Sequence, residues 1–362
     1  MRKRTLGRTG FEISEIGFGA WGLSGQMWLG VAEDESLAAL HAALDLGVDF
    51  IDTALAYGDG VSEQRISRVL AERARHPKSP GGASGSVNTG SSDLVIATKI
   101  PPMNRVWPAG PKTGIDQVYP ARHVIECVEA SLRNLRIEAI PIEQFHVWHD
   151  AWLDAPSPGA SSGWHETREA MERLTDAGKV LHWGVSVNDH APETALRIIQ
   201  DPLIETAQVI YNIYDQTPED ELFPLARKFG AGIINRVPFD EGALTGTIGP
   251  KTKFERGDWR DRYFHGSRKA EVEQHALSLE ELLLAPQTAP GATGGSAAHA
   301  VRTLPELALR FCLSNYDVST VIPGMRHAEH ARRNAAVSDG RHLSDALRDT
   351  LRGHAWNKNW YA

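Results

Sequence analysis

Four side chains of this sequence are of types that can share a proton. Asp52 and Tyr57 stand in FIDTALAYG, Lys99 closes LVIATK, and His146 lies in QFHVW. An ammonium beside a phenol favours the phenolate and lowers its pKa from about 10. A carboxylate keeps that ammonium charged and aimed. A phenol tuned this way can pass a proton to a carbonyl oxygen while hydride reaches the carbon. A neighbouring histidine can hydrogen-bond the same oxygen. No metal is needed. Each residue alone has a plainer use: the aspartate as a loop anchor, the lysine as a solvated charge, the tyrosine as packing. Only their arrival at successive strand ends favours a common site, so the elements that carry them decide the reading.

Those elements alternate. Residues 3–14 read as a hairpin turning at Gly7–Gly10. Strands are predicted at Glu15–Phe18, Val48–Ile51, Leu94–Thr98, Ile142–Val147, Val180–Val185, Thr206–Tyr211, Ile233–Val237 and Val318–Ile322. Helices are predicted from an Asp34 cap to Leu46, and over Ser62–Arg75, 122–135, 164–177, Pro192–Ile199, 219–229 and 303–314. Short, continuously apolar strands suit a parallel sheet covered on both faces. Eight of them predict an α/β fold: a (β/α)8 TIM barrel with an N-terminal β-hairpin and surface loop insertions. An open doubly wound sheet is the alternative, but GFGAWG after the first strand lacks GxGxxG spacing. The stretches 78–92, 154–163 and 285–300, rich in Gly, Ser, Ala or Pro, read as exposed mobile loops. The alternation resumes after each, so residues 1–362 read as a single barrel domain. In a barrel, the C-terminal ends of the strands carry the chemistry.

Composition narrows the classes. Apolar residues at 41% and charged residues at 23% argue against a disordered chain. Lys plus Arg is 38 against 46 Asp plus Glu, and the resulting −8 argues against a nucleic-acid partner. No apolar run reaches the length of about eighteen residues that a membrane span needs. Two cysteines, Cys127 and Cys312, supply neither a disulfide framework nor a four-thiolate metal site. With no opening signal peptide, reduced thiols and a cytoplasmic location are expected.

At these motifs the sequence resembles the aldo-keto reductase superfamily. FIDTALAYGDGVSE, ATK, QFHVW, GKVLHWGVS, QVIYNIYDQ and VPFDEGALTG occur in family order, between LGRTGFEISEIGFGAWG and VIPGMRHAEHARRN. The resemblance implies a barrel plugged by its hairpin that binds an extended nicotinamide cofactor, mostly NADPH, without a Rossmann domain. It implies Tyr57 as general acid, Lys99 and Asp52 as its support, and His146 as the fourth member. It implies Ser186 and Gln208 at the nicotinamide carboxamide and Arg236 against the ring. The family often has Asn directly after that serine; here Val187 stands there and Asn188 follows, facing the other way. Gly324 and Arg326 match the loop by the adenosine phosphate, and Asn334 matches an asparagine near adenine. His330 stands where Arg or Gln is usual. Arg326 has the planar fork that suits a ribose 2′-phosphate, so NADPH is expected and NADH is the alternative.

Five of the ten tryptophans, Trp21, Trp28, Trp107, Trp148 and Trp152, follow predicted strands one, three and four. With Arg105 and His149 at the rim, they predict a broad aromatic platform suited to sugars or other ring compounds. The C-terminal HAWNKNWY reads as a fold-back segment with no legible target. The combined expectation is an NADPH-dependent oxidoreductase reducing a small aldehyde, ketone or cyclic carbonyl compound. An NAD(H)-linked sugar or polyol dehydrogenase and a non-catalytic, cofactor-binding accessory protein are the alternatives.

Overall fold

The computed structural model describes residues 1–75, 94–154, 163–284, 301–356 and 358–361. The predicted insertions 78–92 and 285–300, and 154–163 apart from its two ends, lie outside the described residues.

Strands β1 (Lys3–Thr5) and β2 (Glu12–Ser14) form an antiparallel hairpin. The barrel strands are β3 (Phe18–Gly19), β4 (Phe50–Asp52), β5 (Val95–Ile100), β6 (Ile140–Phe145), β7 (Val180–Ser186), β8 (Ile204–Ile210), β9 (Gly232–Arg236) and β10 (Val318–Val321). They pair in parallel, in chain order. Bridges Ile16–Val321 and Gly19–Gly324 join the first to the last and close the barrel. The helices Glu33–Asp45, Val61–Arg75, Ala121–Leu135, Trp164–Asp176, Leu222–Phe229, Leu304–Leu313 and Ala328–Ala336 pack outside. A closed parallel barrel hides both strand faces, which explains the unbroken burial of β5 and β6.

The hairpin plugs the N-terminal end. Leu6 and Ile13 enter the barrel and meet Phe50, Val95, Ala97, Ile142, Ile234 and Ile322. Arg8 N donates to Gly230 O at 2.7 Å, and its guanidinium bonds the carbonyls of Phe229, Asp201 and Ile204. Gly7 sits at φ +50, and a Cβ there would lie 2.2 Å from Gly232 N. The turn reaches β9 because this residue has no side chain.

Several expected elements differ. The first strand shrinks to Phe18–Gly19, and β4 starts at Phe50 and ends on Asp52, so Asp52 is held by the sheet. Asp34 is not a cap: Ala32 occupies that position, and Glu33, Asp34 and Glu35 lie in the first turn, where acids suit the helix dipole. The predicted helix at Pro192–Ile199 is two 3-10 turns, Pro192–Ala195 and Ile198–Gln200. There Asp150 accepts from Arg197 N at 2.6 Å and Ile198 N at 3.1 Å, which diverts those amides from helical partners. Helices Arg268–Leu284 and Asp345–Arg352 are additional. The first buries only Val272, Ala276 and Leu279, a stripe too narrow to stand out among charges.

Candidate active site

Strand alternation sets the site. On β4 and β5 the residues two positions apart share a face, so Phe50 and Ala97 line the plugged interior while Asp52 and Lys99 stand above them. Lys99 Nζ donates to Asp52 Oδ2 at 2.7 Å, to Thr53 O at 2.7 Å and to Tyr57 OH at 3.4 Å. Lys99 is 1% and Asp52 3% exposed, so this ion pair is shielded from water. Tyr57 sits just past β4, with its N–H donating to Ala54 O. His146 is the first residue beyond β6, held by its N–H donating to Ile100 O at 3.0 Å. Its ring stands edge-on to Tyr57, centroids 5.7 Å apart. The structure therefore brings Asp52, Tyr57, Lys99 and His146 into one cluster.

The electrostatics correct one expectation. Burial raises the Tyr57 phenol above its ordinary value; Lys99 pulls downward and does not prevail. The tyrosine therefore holds its proton at neutral pH. Burial alone would lower Lys99, but Asp52 and Tyr57 outweigh it and its pKa rises. Burial, reinforced by Lys99, Arg236 and Arg105, drives His146 well below its usual range. His146 is a neutral imidazole with one N–H, and its Nδ1 is buried without a protein partner.

The residues expected around a cofactor divide into two groups. Ser186 pairs in register with Gln208, and both are buried. Gln208 Nε2 donates to Asp52 Oδ1 at 2.6 Å, a second support for the carboxylate. Asn188 gives both amide atoms to the Ala109 backbone, each at 3.0 Å, so it fixes the loop after β5. Arg236 Nη2 donates to Asp189 Oδ1 at 2.7 Å and Val187 O at 2.9 Å, leaving Nε buried and unpartnered. Asn334 is buried with its Nδ2 unpartnered. Arg236 Nε and Asn334 Nδ2 thus both keep unmet capacity to bond a polar ligand. Gly324 is exposed. Arg326, however, donates from Nη1 to Leu29 O at 2.7 Å and lies over the Trp28 ring. His330 lies at the surface, and partial desolvation of its ring, with His327 and Arg326 nearby, lowers its pKa, so it adds no standing charge. Arg332 and Arg333 both pair with Glu329.

The mouth is aromatic, with a different membership from that expected. Trp21 stacks on Tyr57 at 6.2 Å and meets Trp28 at 5.6 Å; Trp107 stands edge-on to His146 at 5.7 Å. Arg105 forms a rim ion pair with Asp59. Trp148 does not line this surface. It is fully buried against Phe145, Trp152 and Trp164, and its Nε1 donates to Asp150 Oδ1. Trp152 is likewise buried, its Nε1 on Thr113 O. His149 is no free rim group: its Nδ1 caps the 3-10 turn Asp150–Leu153 by accepting from Ala151 N. Two further aromatics join the mouth, and the sequence does not mark them. Trp259 meets Trp21 at 6.2 Å, and Tyr361 stacks on Trp259 at 5.5 Å. HAWNKNWY announced aromatic material, but nothing local to it indicated Trp259.

The Aldo/keto reductase family profile matches residues 15–354. "Aldo-keto reductase YhdN" of Bacillus subtilis is 29% identical over 270 residues, 72% of this chain and 69% of that protein. "NADH-specific methylglyoxal reductase" of Escherichia coli is 28% identical over 361 residues, 96% of each chain. The solved structure of the glycerol dehydrogenase AKR11B4 from Gluconobacter oxydans superposes with a TM-score of 0.71 at 23% identity, covering 97% of this chain and 94% of that one. That likeness supports the barrel.

Proposed function

The chain belongs to the aldo/keto reductase family, and from that premise we propose that it reduces an aldehyde or ketone to the alcohol with Tyr57 as proton donor. The observation that carries this reading is Lys99 Nζ lying between Asp52 Oδ2 and Tyr57 OH at a water-shielded strand end. A bound reduced nicotinamide would supply hydride to the carbonyl carbon. Tyr57 gives its proton to the carbonyl oxygen. Lys99 stabilises the tyrosinate that remains, and Asp52, held by Gln208, keeps the ammonium charged and in place. Neutral His146 donates its single N–H to the same oxygen. Arg236 and Asn334 would hold the dinucleotide with Ser186, Gly324 and Arg326. Trp21, Trp28 and Trp107 would receive a flat-faced substrate, with Arg105 at its edge, as suits a sugar or another cyclic carbonyl compound. A panel of aryl aldehydes, ketones and sugars with NADPH or NADH tests this: oxidation of at least one cofactor is expected. No turnover with any member would contradict it.

On the cofactor, we propose NADPH, with the Arg326 guanidinium on the 2′-phosphate. Arg326→Ala should then weaken NADPH about 10–150-fold, the worth of a charged hydrogen bond, and leave NADH little changed. Fluorescence titration of both dinucleotides decides it. One observation favours NADH instead: Arg326 Nη1 is already committed to Leu29 O. A wild type preferring NADH, or equal losses for both cofactors, would support that second reading.

A further inference from the structure

The loop after β9 is held in an unfavourable backbone conformation. Val237, Asp240 and Glu241 have φ of +56, +47 and +56, a region that non-glycine residues avoid and a β-branched valine avoids most. Arg236, the group we assign to the cofactor, immediately precedes this loop. A strained segment persists only where its surroundings over-determine it.

Those surroundings come from the end of the chain. Lys358 Nζ donates to Asp240 Oδ1 at 2.9 Å and lies 2.7 Å from Oδ2. Asp240 is fully buried and Lys358 is 9% exposed, with its ammonium over the Trp360 ring at 4.5 Å and the Trp356 ring at 5.1 Å. Tyr361 OH donates to Glu241 Oε1 at 2.5 Å. The segment is itself anchored, since Trp356 N donates to Tyr214 O at 2.8 Å. Two consecutive loop residues in the left-handed region are thus each gripped by a different residue of the C-terminal segment. A buried ion pair contributes little net stability over an apolar contact of the same shape, but it fixes one geometry. Tyr361 also continues the wall Tyr57–Trp21–Trp259, so the segment that grips the loop reaches the mouth as well.

We propose that Lys358 and Tyr361 are positioning residues of the cofactor site: they lock the loop 237–245 so that Arg236 faces a bound dinucleotide. The proposal rests on the functional reading above. The C-terminal segment then governs how tightly and how long the cofactor stays, and it acts through the loop without touching the reacting atoms.

The test uses the full chain with NADPH and NADH as probes. Stopped-flow displacement gives the dissociation rate and fluorescence titration the Kd, with circular dichroism as a check on folding. Lys358→Met should raise cofactor Kd about tenfold or more, mostly through faster dissociation, as expected for loss of a charged hydrogen bond. The KM for a carbonyl substrate at saturating cofactor should move far less. Lys358→Arg, which keeps the charge, should recover much of the loss in Kd and dissociation rate, while the substrate KM, little moved in either variant, separates this role from a general loss of structure. Tyr361→Phe removes one hydroxyl and decides the matter should Lys358→Met fail to fold; it should raise Kd about two- to tenfold. Unchanged Kd and dissociation rate in folded Lys358→Met, or in Tyr361→Phe where only that variant folds, would overturn the lock. A wild type that binds neither dinucleotide would overturn the functional reading and the lock with it.

Discussion

The two ends of this barrel are built on opposite terms. At the N-terminal end, Leu6 and Ile13 fill the opening and Arg4 and Arg8 give their guanidinium groups to strand-end and loop carbonyls. At the C-terminal end, buried polar atoms stand without protein partners at His146, Arg236, Trp28, Trp259 and Asn334. Of the seven described non-glycine residues with positive φ, six (Asp59, Arg105, His190, Val237, Asp240 and Glu241) lie in loops that follow barrel strands; Arg136 ends a helix. The hairpin end leaves Arg8 Nε unpartnered, whereas the other end gathers these five residues with unpartnered atoms and six of the seven positive φ values. The molecule stores stability at the first end and keeps polar groups free of protein partners at the second.

Substitutions at each end can break that contrast. The largest effect is expected from Lys99→Met, which should cut turnover at least ~100-fold and move any basic limb of the pH profile upward, because the charge that holds the tyrosinate is gone. Its melting temperature gives the comparison: a variant with normal rate and pH profile would remove the electrostatic account. Leu6→Ala should do the reverse, costing about 2–5 kcal/mol of stability in denaturant titration while the rate at low temperature is retained. A slow but fully stable Leu6→Ala would dissolve the division between the ends.

The smallest effect sharpens the contrast by showing that unmet polar groups also occur away from the mouth. Glu143 is fully buried on β6 with both carboxyl oxygens unpartnered, beside Thr98, whose hydroxyl donates to Glu63 at 2.6 Å. Burial, then the Glu63 charge, holds the Glu143 pKa well above the carboxylate range. The folded state therefore binds this proton more tightly than the unfolded state, and stability drains away as pH rises through the folded value. Gln cannot ionise, so the Tm difference between Glu143→Gln and wild type should grow more positive from pH 4 to pH 8. A difference that does not vary with pH would show that Glu143 keeps an ordinary pKa.

The legible and illegible parts of the sequence separate along physical lines. Asp52, Lys99 and His146 could be located because strand periodicity and the strand-end rule act over a few residues. Trp148 misled because the chain turns away after His146, and Asp150 captures the indole N–H within two residues. Arg326 read as a free cation because its acceptor, Leu29 O, lies 297 positions away. The grip of Lys358 on Asp240 spans 118 positions, and no local pattern in HAWNKNWY encodes it. The raised phenol of Tyr57 was hidden for another reason: a motif shows the neighbouring lysine, but the burial that outweighs it exists only once the barrel closes.

In the proposed reaction Tyr57 donates the proton at the C-terminal end of the barrel. Tyr57→Phe removes one oxygen and keeps the ring that stacks on Trp21. Steady-state turnover of the best carbonyl substrate should fall at least ~100-fold, the lower range for a general acid, while titration of the cofactor shows affinity little changed. Near-normal turnover in a folded, cofactor-binding Tyr57→Phe protein would contradict the account.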